Sequence, residues 1–344
     1  MRDRYGRPWS AGSGLGVPGA RQDARLTYAL MAVNVVVLIA MQLSGGSTNP
    51  DVLLAFGAMF GPRIADGEYW RLFTAMFLHV GFIHLAFNVF GLWVFGRIVE
   101  GVFGPLRFAL IYVLAGLCGS VVSYLLNPVT IAAGASGAVF GIIGALAAYF
   151  AAQRHVLGQM AQQNLYGLLV LGAVNLVFGL LTPGIDNWAH LGGFAGGFAL
   201  GYALAPEYRV VFSLMGRPMG FAERGGKLLR RLWVVPAAIL LLALGIWAGN
   251  STMPPNAATH VRNAERLIEK GDFDSARDEI DQAIDVGHGP ETALGRAYFI
   301  RAQIKERSGD HEGAVQDLAR AVRLADEDTR RAAIALWARI VEGS

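Results

Sequence analysis

Seven apolar stretches of bilayer length punctuate the first 250 residues, at about 26–43, 83–100, 107–126, 136–152, 165–181, 189–206 and 232–249. Roughly twenty apolar residues cross a membrane as a helix, so the pattern predicts seven spans. The connection over 45–80 is long and semi-apolar (Val52 to Phe60, then Tyr69-Trp70-Arg71-Leu72-Phe73) but too interrupted to span. Its aromatic rings suit the membrane–water interface. Beyond residue 257 charges of both signs alternate continually, and the segment repeats itself. Ala264, Ala276 and Ala283 recur as Ala302, Ala314 and Ala321, and Gly271-Asp272 recurs as Gly309-Asp310. The predicted fold class is all-α: a polytopic membrane helix bundle followed by a soluble α-helical repeat domain.

Composition sharpens this division. Hydrophobic residues are 54% of the chain and charged residues 16%, with a mean hydropathy of +0.42. Soluble domains are about a quarter charged, so lipid is the solvent of the middle and water that of the C-terminal end. A net charge of +3, with no basic run interleaved with aromatics, speaks against a nucleic-acid partner. The single cysteine, Cys118, lies in an apolar run and reads as a buried inert thiol. Residues 1–25 read as a disordered tail and not a signal peptide, because no apolar region follows at the right distance.

Lys and Arg set the expected orientation. With an inside N-terminus, the inner segments hold Arg2, Arg4, Arg7, Arg21, Arg25, Arg97, Arg107, Arg154 and the cluster Arg209, Arg217, Arg224, Lys227, Arg230 and Arg231. The outer loops hold only Arg63 and Arg71. The positive-inside rule then puts the tail and a basic linker over 207–231 in the cytoplasm, and the domain at 257–342 outside.

Under this topology four polar residues stand at the outer ends of apolar helices: His84, Asn88, Ser136 and His190. His84 and Asn88, at i and i+4, share a helix face. Ser136 opens the fourth span, where free backbone N–H groups and the helix dipole favour an anion. His190 opens the sixth. A hydroxyl and an imidazole at one depth suit acyl transfer, with Ser136 as nucleophile, His190 as general base, and His84, Asn88 and the Ser136 N–H as oxyanion donors. No acidic residue in either span is near enough to complete a triad, so the expected arrangement is a Ser–His dyad. Small-residue stripes (Gly193, Gly197, Gly201 on the sixth span; Gly137, Gly141, Ala145 on the fourth) permit the close helix approach that a Ser–His bond requires. His79 and His84, five apart and without carboxylates, do not share a helix face, and no metal or cofactor is expected.

Over about residues 26–206 the chain resembles the rhomboid intramembrane serine proteases. The resemblance is carried by Tyr69-Trp70-Arg71, His79, His84-Leu-Ala-Phe-Asn88, Gly134-Ala-Ser-Gly137 and Ala189-His190-Leu-Gly-Gly193-Phe-Ala-Gly-Gly197. It implies a six-helix rhomboid core with one extra transmembrane helix at 232–249, and the same roles for Ser136, His190, His84 and Asn88. It also implies transmembrane-helix substrates cut near the outer interface at small residues. Trp70 and Arg71 would shape the first loop, and the fifth span, with Gly167, Gly172 and Gly179, would be a mobile gate. Phe140 replaces the tyrosine that many rhomboids stack on the histidine, which keeps the ring and loses the hydroxyl. Residues 257–342 resemble tetratricopeptide repeats, with a period of 38 in place of about 34, and imply a protein or peptide partner. A non-cleaving membrane adaptor needs neither Ser136 nor His190, and a transporter would place polar residues at mid-membrane in several helices. An Ala-rich, disulfide-free chain with an inside tail fits a bacterial plasma membrane.

Overall fold

The computed structural model describes residues 23–182, 184–206, 208–212, 218–223, 231–253, 255–287 and 291–342. The predicted tail, apart from its last residues, and the basic positions Arg217, Arg224, Lys227 and Arg230 lie outside them. Contacts divide the chain into two compact units. One takes residues up to Ile64 and Tyr69–Thr252, the other Ala65–Glu68 and the chain from Met253.

The first unit is built from helices at the predicted apolar runs. They are α1 (Arg25–Leu43), α5 (Gly81–Gly91) continuing through a π-helical turn, Leu92–Gly96, into α6 (Arg97–Phe103), then α7 (Pro105–Leu126), α8 (Ser136–Ala152), α10 (Gln159–Leu181), α11 (Asn187–Leu204) and α12 (Val234–Thr252). Short helices α2 (Pro50–Ala55), α3 (Gly61–Ala65) and α4 (Arg71–Thr74) fold the first loop without spanning, and α9 (Arg154–Leu157) links α8 to α10. Five of these helices are long and apolar enough to cross a membrane: Arg25–Leu43, Gly81–Phe103, Pro105–Leu126, Gln159–Leu181 and Val234–Thr252. The apolar α8 is shorter, at 17 residues.

Helix α8 is the centre of this unit, with every residue from Gly137 to Phe150 buried. Its closest partner is α11. A Cβ on Gly193 would collide with the Gly137 carbonyl, one on Gly197 with the Gly141 backbone and one on Gly201 with Ala145. The two predicted stripes therefore face each other residue for residue. Helices α10 and α12 present Val174, Phe178, Leu181, Leu240, Leu241 and Leu244 outward, as helices bathed in lipid do.

Polar groups in this unit close off backbone ends. Glu100, 2% exposed, accepts hydrogen bonds from the backbone N–H groups of Leu26 (3.1 Å) and Thr27 (2.8 Å) and from Thr27 Oγ1 (2.7 Å). It thus caps the positive end of α1 from another helix. Helix α12 is held by side chains and close packing instead. Added Cβ atoms at Gly245 and Gly249 would meet Val121 and the Tyr124 ring of α7. Beside them Tyr124 donates to Asn250 Oδ1 (2.6 Å), and Asn250 Nδ2 donates to the Tyr69 hydroxyl (3.0 Å).

One element departs from the sequence reading. Within the expected linker, β1 (Tyr208–Phe212) and β2 (Pro218–Glu223) pair antiparallel, with Tyr208 opposite Glu223 and Val210 opposite Phe221. The run Tyr-Arg-Val-Val-Phe is rich in strand formers, which favours such a pairing within the basic segment.

The second unit contains α13 (Ala257–Glu269), α14 (Phe273–Val286), α15 (Glu291–Arg307), α16 (His311–Leu324) and α17 (Glu327–Glu342). Gly271 and Gly309 carry positive φ after α13 and α15, and Asp272 and Asp310 then cap α14 and α16. All six alanines of the repeat are fully buried where the helices cross. Asp317, 2% exposed, receives a bidentate pair from Arg301 (2.8 and 2.9 Å) and Lys305 Nζ at 2.9 Å, while Arg301 also reaches Asp281 (3.1 Å). Burial by itself would raise the Asp317 pKa. The hydrogen bonds and charges of Arg301 and Lys305 outweigh it and hold the carboxyl below the usual carboxylate value.

Two outcomes follow from this packing. Gly197→Leu should destabilise the membrane unit by about 1–3 kcal/mol or more, because the added side chain meets backbone. Gly172→Ala, whose nearest neighbour is 3.9 Å away, should stay within about 0.5 kcal/mol; equilibrium unfolding in mixed micelles compares them. A carboxyl with a depressed folded pKa stabilises above its unfolded value and loses that contribution as pH falls through the folded one. The Asp317 contribution should therefore be complete above the ordinary value of 3.8 and vanish below it. Asp317→Asn should abolish that pH dependence and cost about 2 kcal/mol at neutral pH, read by hydrogen exchange of the α15 and α16 amides in the full chain.

Candidate active site

Ser136 is the first residue of α8, and the strand-like approach to it is tied down from several sides. Met59 and Ala132 exchange backbone hydrogen bonds of 2.9 Å, and the Gly134 N–H donates to the Ala75 carbonyl (2.9 Å). Gly134 has φ +148, and a Cβ there would lie 2.8 Å from His84 Cε1 and 3.6 Å from Ser136 Oγ. Glycine is needed at this point so that the His84 ring and the serine hydroxyl can border the same backbone. Gly137, next in the chain, is the residue that Gly193 of α11 packs against. The close contact with Gly137 thus requires glycine at Gly193, while a Cβ on Gly137 itself would crowd the Ala189 carbonyl at 3.3 Å.

His190 lies in the first turn of α11, and its side chain is 8% exposed. The ring stacks on Phe140, one turn into α8 from Ser136, with centroids 4.2 Å apart and planes 7° from parallel. Its Nδ1 is buried and has no hydrogen-bond partner among the described residues. The backbone N–H of His190 donates to the Asp186 carbonyl (3.2 Å). Asp186, in turn, caps α11: Oδ1 accepts from the Ala189 N–H at 3.0 Å, and Oδ2 from the Ser123 hydroxyl of α7.

His84 Nδ1 accepts from the Val80 N–H (3.4 Å). In a neutral ring the proton then sits on Nε2, the atom nearer Gly134. His79, fully buried, stands edge-on to His84 with centroids 5.3 Å apart, and its Nε2 accepts from the Ala135 N–H at 3.5 Å. Asn88, one turn past His84 and 4% exposed, donates through Nδ2 to the His84 carbonyl (3.0 Å). One amide hydrogen is used there and the second is left over. Gly91 brings this helix against α8, since a Cβ there would be 2.8 Å from Val139 Cγ1.

The first loop, which the resemblance gave Trp70 and Arg71 to shape, is braced by Arg71. Arg71, 2% exposed, donates to the carbonyls of Leu54 (2.7 Å) and Ala58 (3.1 Å), and its guanidinium lies 4.6 Å from the Trp70 ring centroid. These bonds tie the guanidinium to the C-terminal turn of α2 and to the segment that follows it.

The four sequence-selected residues accordingly lie on three helices that meet at one end of α8. Asp186 was not among them. Its signal was legible, an Asp just ahead of an apolar helix, but it marks an N-cap and not a reaction partner.

The Rhomboid domain family matches residues 66–207. Rhomboid protease GluP of Bacillus subtilis is 33% identical over 305 residues, 88% of this chain and 55% of the relative. RHOMBOID-like protein 1 of Arabidopsis thaliana is 36% identical over 189 residues, covering 53% of this chain and 47% of the relative. RHOMBOID-like protein 6, mitochondrial, from the same plant, is 41% identical over 138 residues, 40% of this chain and 44% of the relative. The chain thus spans about half the length of these relatives. With the family match over the helices that hold Ser136 and His190, and similarity to GluP along most of its length, this multi-pass membrane chain belongs to the rhomboid family.

Proposed function

We propose that the protein is an intramembrane serine endopeptidase that cleaves transmembrane helices with a Ser136–His190 dyad. The observation that carries this reading is the contact between α8 and α11. Gly137 and Gly193 touch, and Phe140 stacks on the His190 ring, so the serine turn and the imidazole share one depth. The relative named Rhomboid protease GluP supports the same activity.

In this mechanism Ser136 Oγ attacks the scissile carbonyl while His190 takes its proton and then delivers it to the leaving amine. The tetrahedral oxyanion is met by the Ser136 N–H, the Nε2–H of His84 and the remaining amide hydrogen of Asn88. Water, activated by His190, then hydrolyses the acyl-enzyme. That His190 Nδ1 has no hydrogen-bond partner among the described residues supports a dyad and not a triad. Substrate helices must unwind before attack, and backbone groups freed in lipid are costly. Helices weakened by Gly, Pro or polar residues are therefore the preferred class.

The same reading gives a rhomboid core over 26–206 and a seventh span over 232–249, with a cytoplasmic N-terminus. The C-terminal domain at 257–342 lies outside a bacterial plasma membrane and docks protein or peptide as a tetratricopeptide-like array. Helix α10 serves as the gate.

Cleavage of a fluorescent transmembrane peptide by purified protein in liposomes tests the assignment. Ser136→Ala and His190→Ala should each lower kcat by at least about 10³-fold. His84→Ala and Asn88→Ala should each lose about 10²-fold, the worth of one oxyanion donor. Cleavage that survives Ser136→Ala would remove serine chemistry from the account.

A further inference from the structure

The His190 ring is oriented by its stack on Phe140, and among the described residues no hydrogen bond at Nδ1 helps to hold it. The position of the imidazole therefore depends on where the backbone of the first turn of α11 is fixed. Two kinds of contact act on that turn. The glycine contacts set how near α11 lies to α8 and, through Gly119 against the Ala189 carbonyl, to α7, but they are van der Waals contacts and not hydrogen bonds. Asp186 supplies what the glycines lack. One carboxylate oxygen binds the Ala189 N–H within the turn, and the other binds Ser123, fully buried on α7. The carbonyl of the same residue receives the His190 N–H.

We propose that Asp186 is a positioning residue for His190, a rivet that joins the first turn of α11 to α7 and so sets the imidazole at the depth of Ser136. The proposal rests on the serine-protease reading above. The agent is the pair of hydrogen bonds. An asparagine can reproduce both, its Oδ1 accepting from Ala189 N–H and its Nδ2 donating to Ser123 Oγ. An alanine can reproduce neither. Ser123→Ala removes only the bond between helices and leaves the cap.

The test compares wild type, Asp186→Ala, Asp186→Asn and Ser123→Ala as full chains in liposomes, with a transmembrane peptide as substrate. A fluorophosphonate titrates the reactive serine, and rates are expressed per titrated site. A purely structural role would lower the titrated fraction and leave the rate per site unchanged. Positioning predicts the opposite. Asp186→Ala should lose about 10–100-fold in kcat per site with little change in KM, as a displacement of the order of 1 Å does. Asp186→Asn should restore the rate to within about threefold of wild type, and Ser123→Ala should fall between them. If Asp186→Ala does not fold, Asp186→Asn and Ser123→Ala decide. A Ser123→Ala rate equal to wild type, an Asp186→Asn rate as low as that of Asp186→Ala, or an unchanged Asp186→Ala overturns the proposal alone. A wild type that neither cleaves nor reacts with the fluorophosphonate overturns the protease reading, and this proposal with it.

Discussion

Membrane helices gain little from pressing apolar side chains together, because the lipid they leave is as apolar as the interior they enter. What remains is close van der Waals contact, and the membrane unit depends on one such contact. Gly193, Gly197 and Gly201 of α11 lie directly on Gly137, Gly141 and Ala145 of α8. This contact lets the Phe140 ring of one helix cover the His190 ring of the other. A Cβ added at Gly193, Gly197 or Gly201 would have to displace backbone, which a neighbouring side-chain rotation cannot relieve.

The second constraint is that backbone groups at helix ends need partners where water is scarce. The chain meets it with Glu100 and Arg71 from distant elements, at the start of α1 and at the carbonyls of α2 and its C-terminal turn, and with Asp186, which caps its own helix α11 and also reaches Ser123 of α7. Each such residue closes off a helix end and also fixes one element against another. The same economy explains why polar residues in this unit are few and yet buried. His79 and His84 follow it as well, one ring holding the Ala135 N–H and the other the Val80 N–H.

The C-terminal unit obeys a different physics. Its helices bury alanines at their crossings and keep charge at their edges, and water supplies the driving force that lipid cannot. Its caps are local, Asp272 and Asp310 each serving the helix that follows. The Asp317 cluster ties three helices together through charge.

Local chemistry was legible in the linear chain: where the apolar runs lie, which of them carry glycine at every fourth position, where a serine and a histidine open helices, and the 38-residue repeat of alanines. These are properties of spacing, and spacing survives folding. Partnership between distant segments was not legible. That Gly193 would meet Gly137 in register, that Asp186 would reach Ser123, that Asn250 would join Tyr124 to Tyr69, and that Glu100 would cap α1 are facts of three-dimensional approach. The π-helical turn at Leu92–Gly96 and the hairpin over 208–223 belong with them. The sequence by itself determined which residues could react or cap. Tertiary structure decided which partner each met, because a hydrogen bond or a backbone contact between helices is set by their relative placement and not by the distance between residues along the chain.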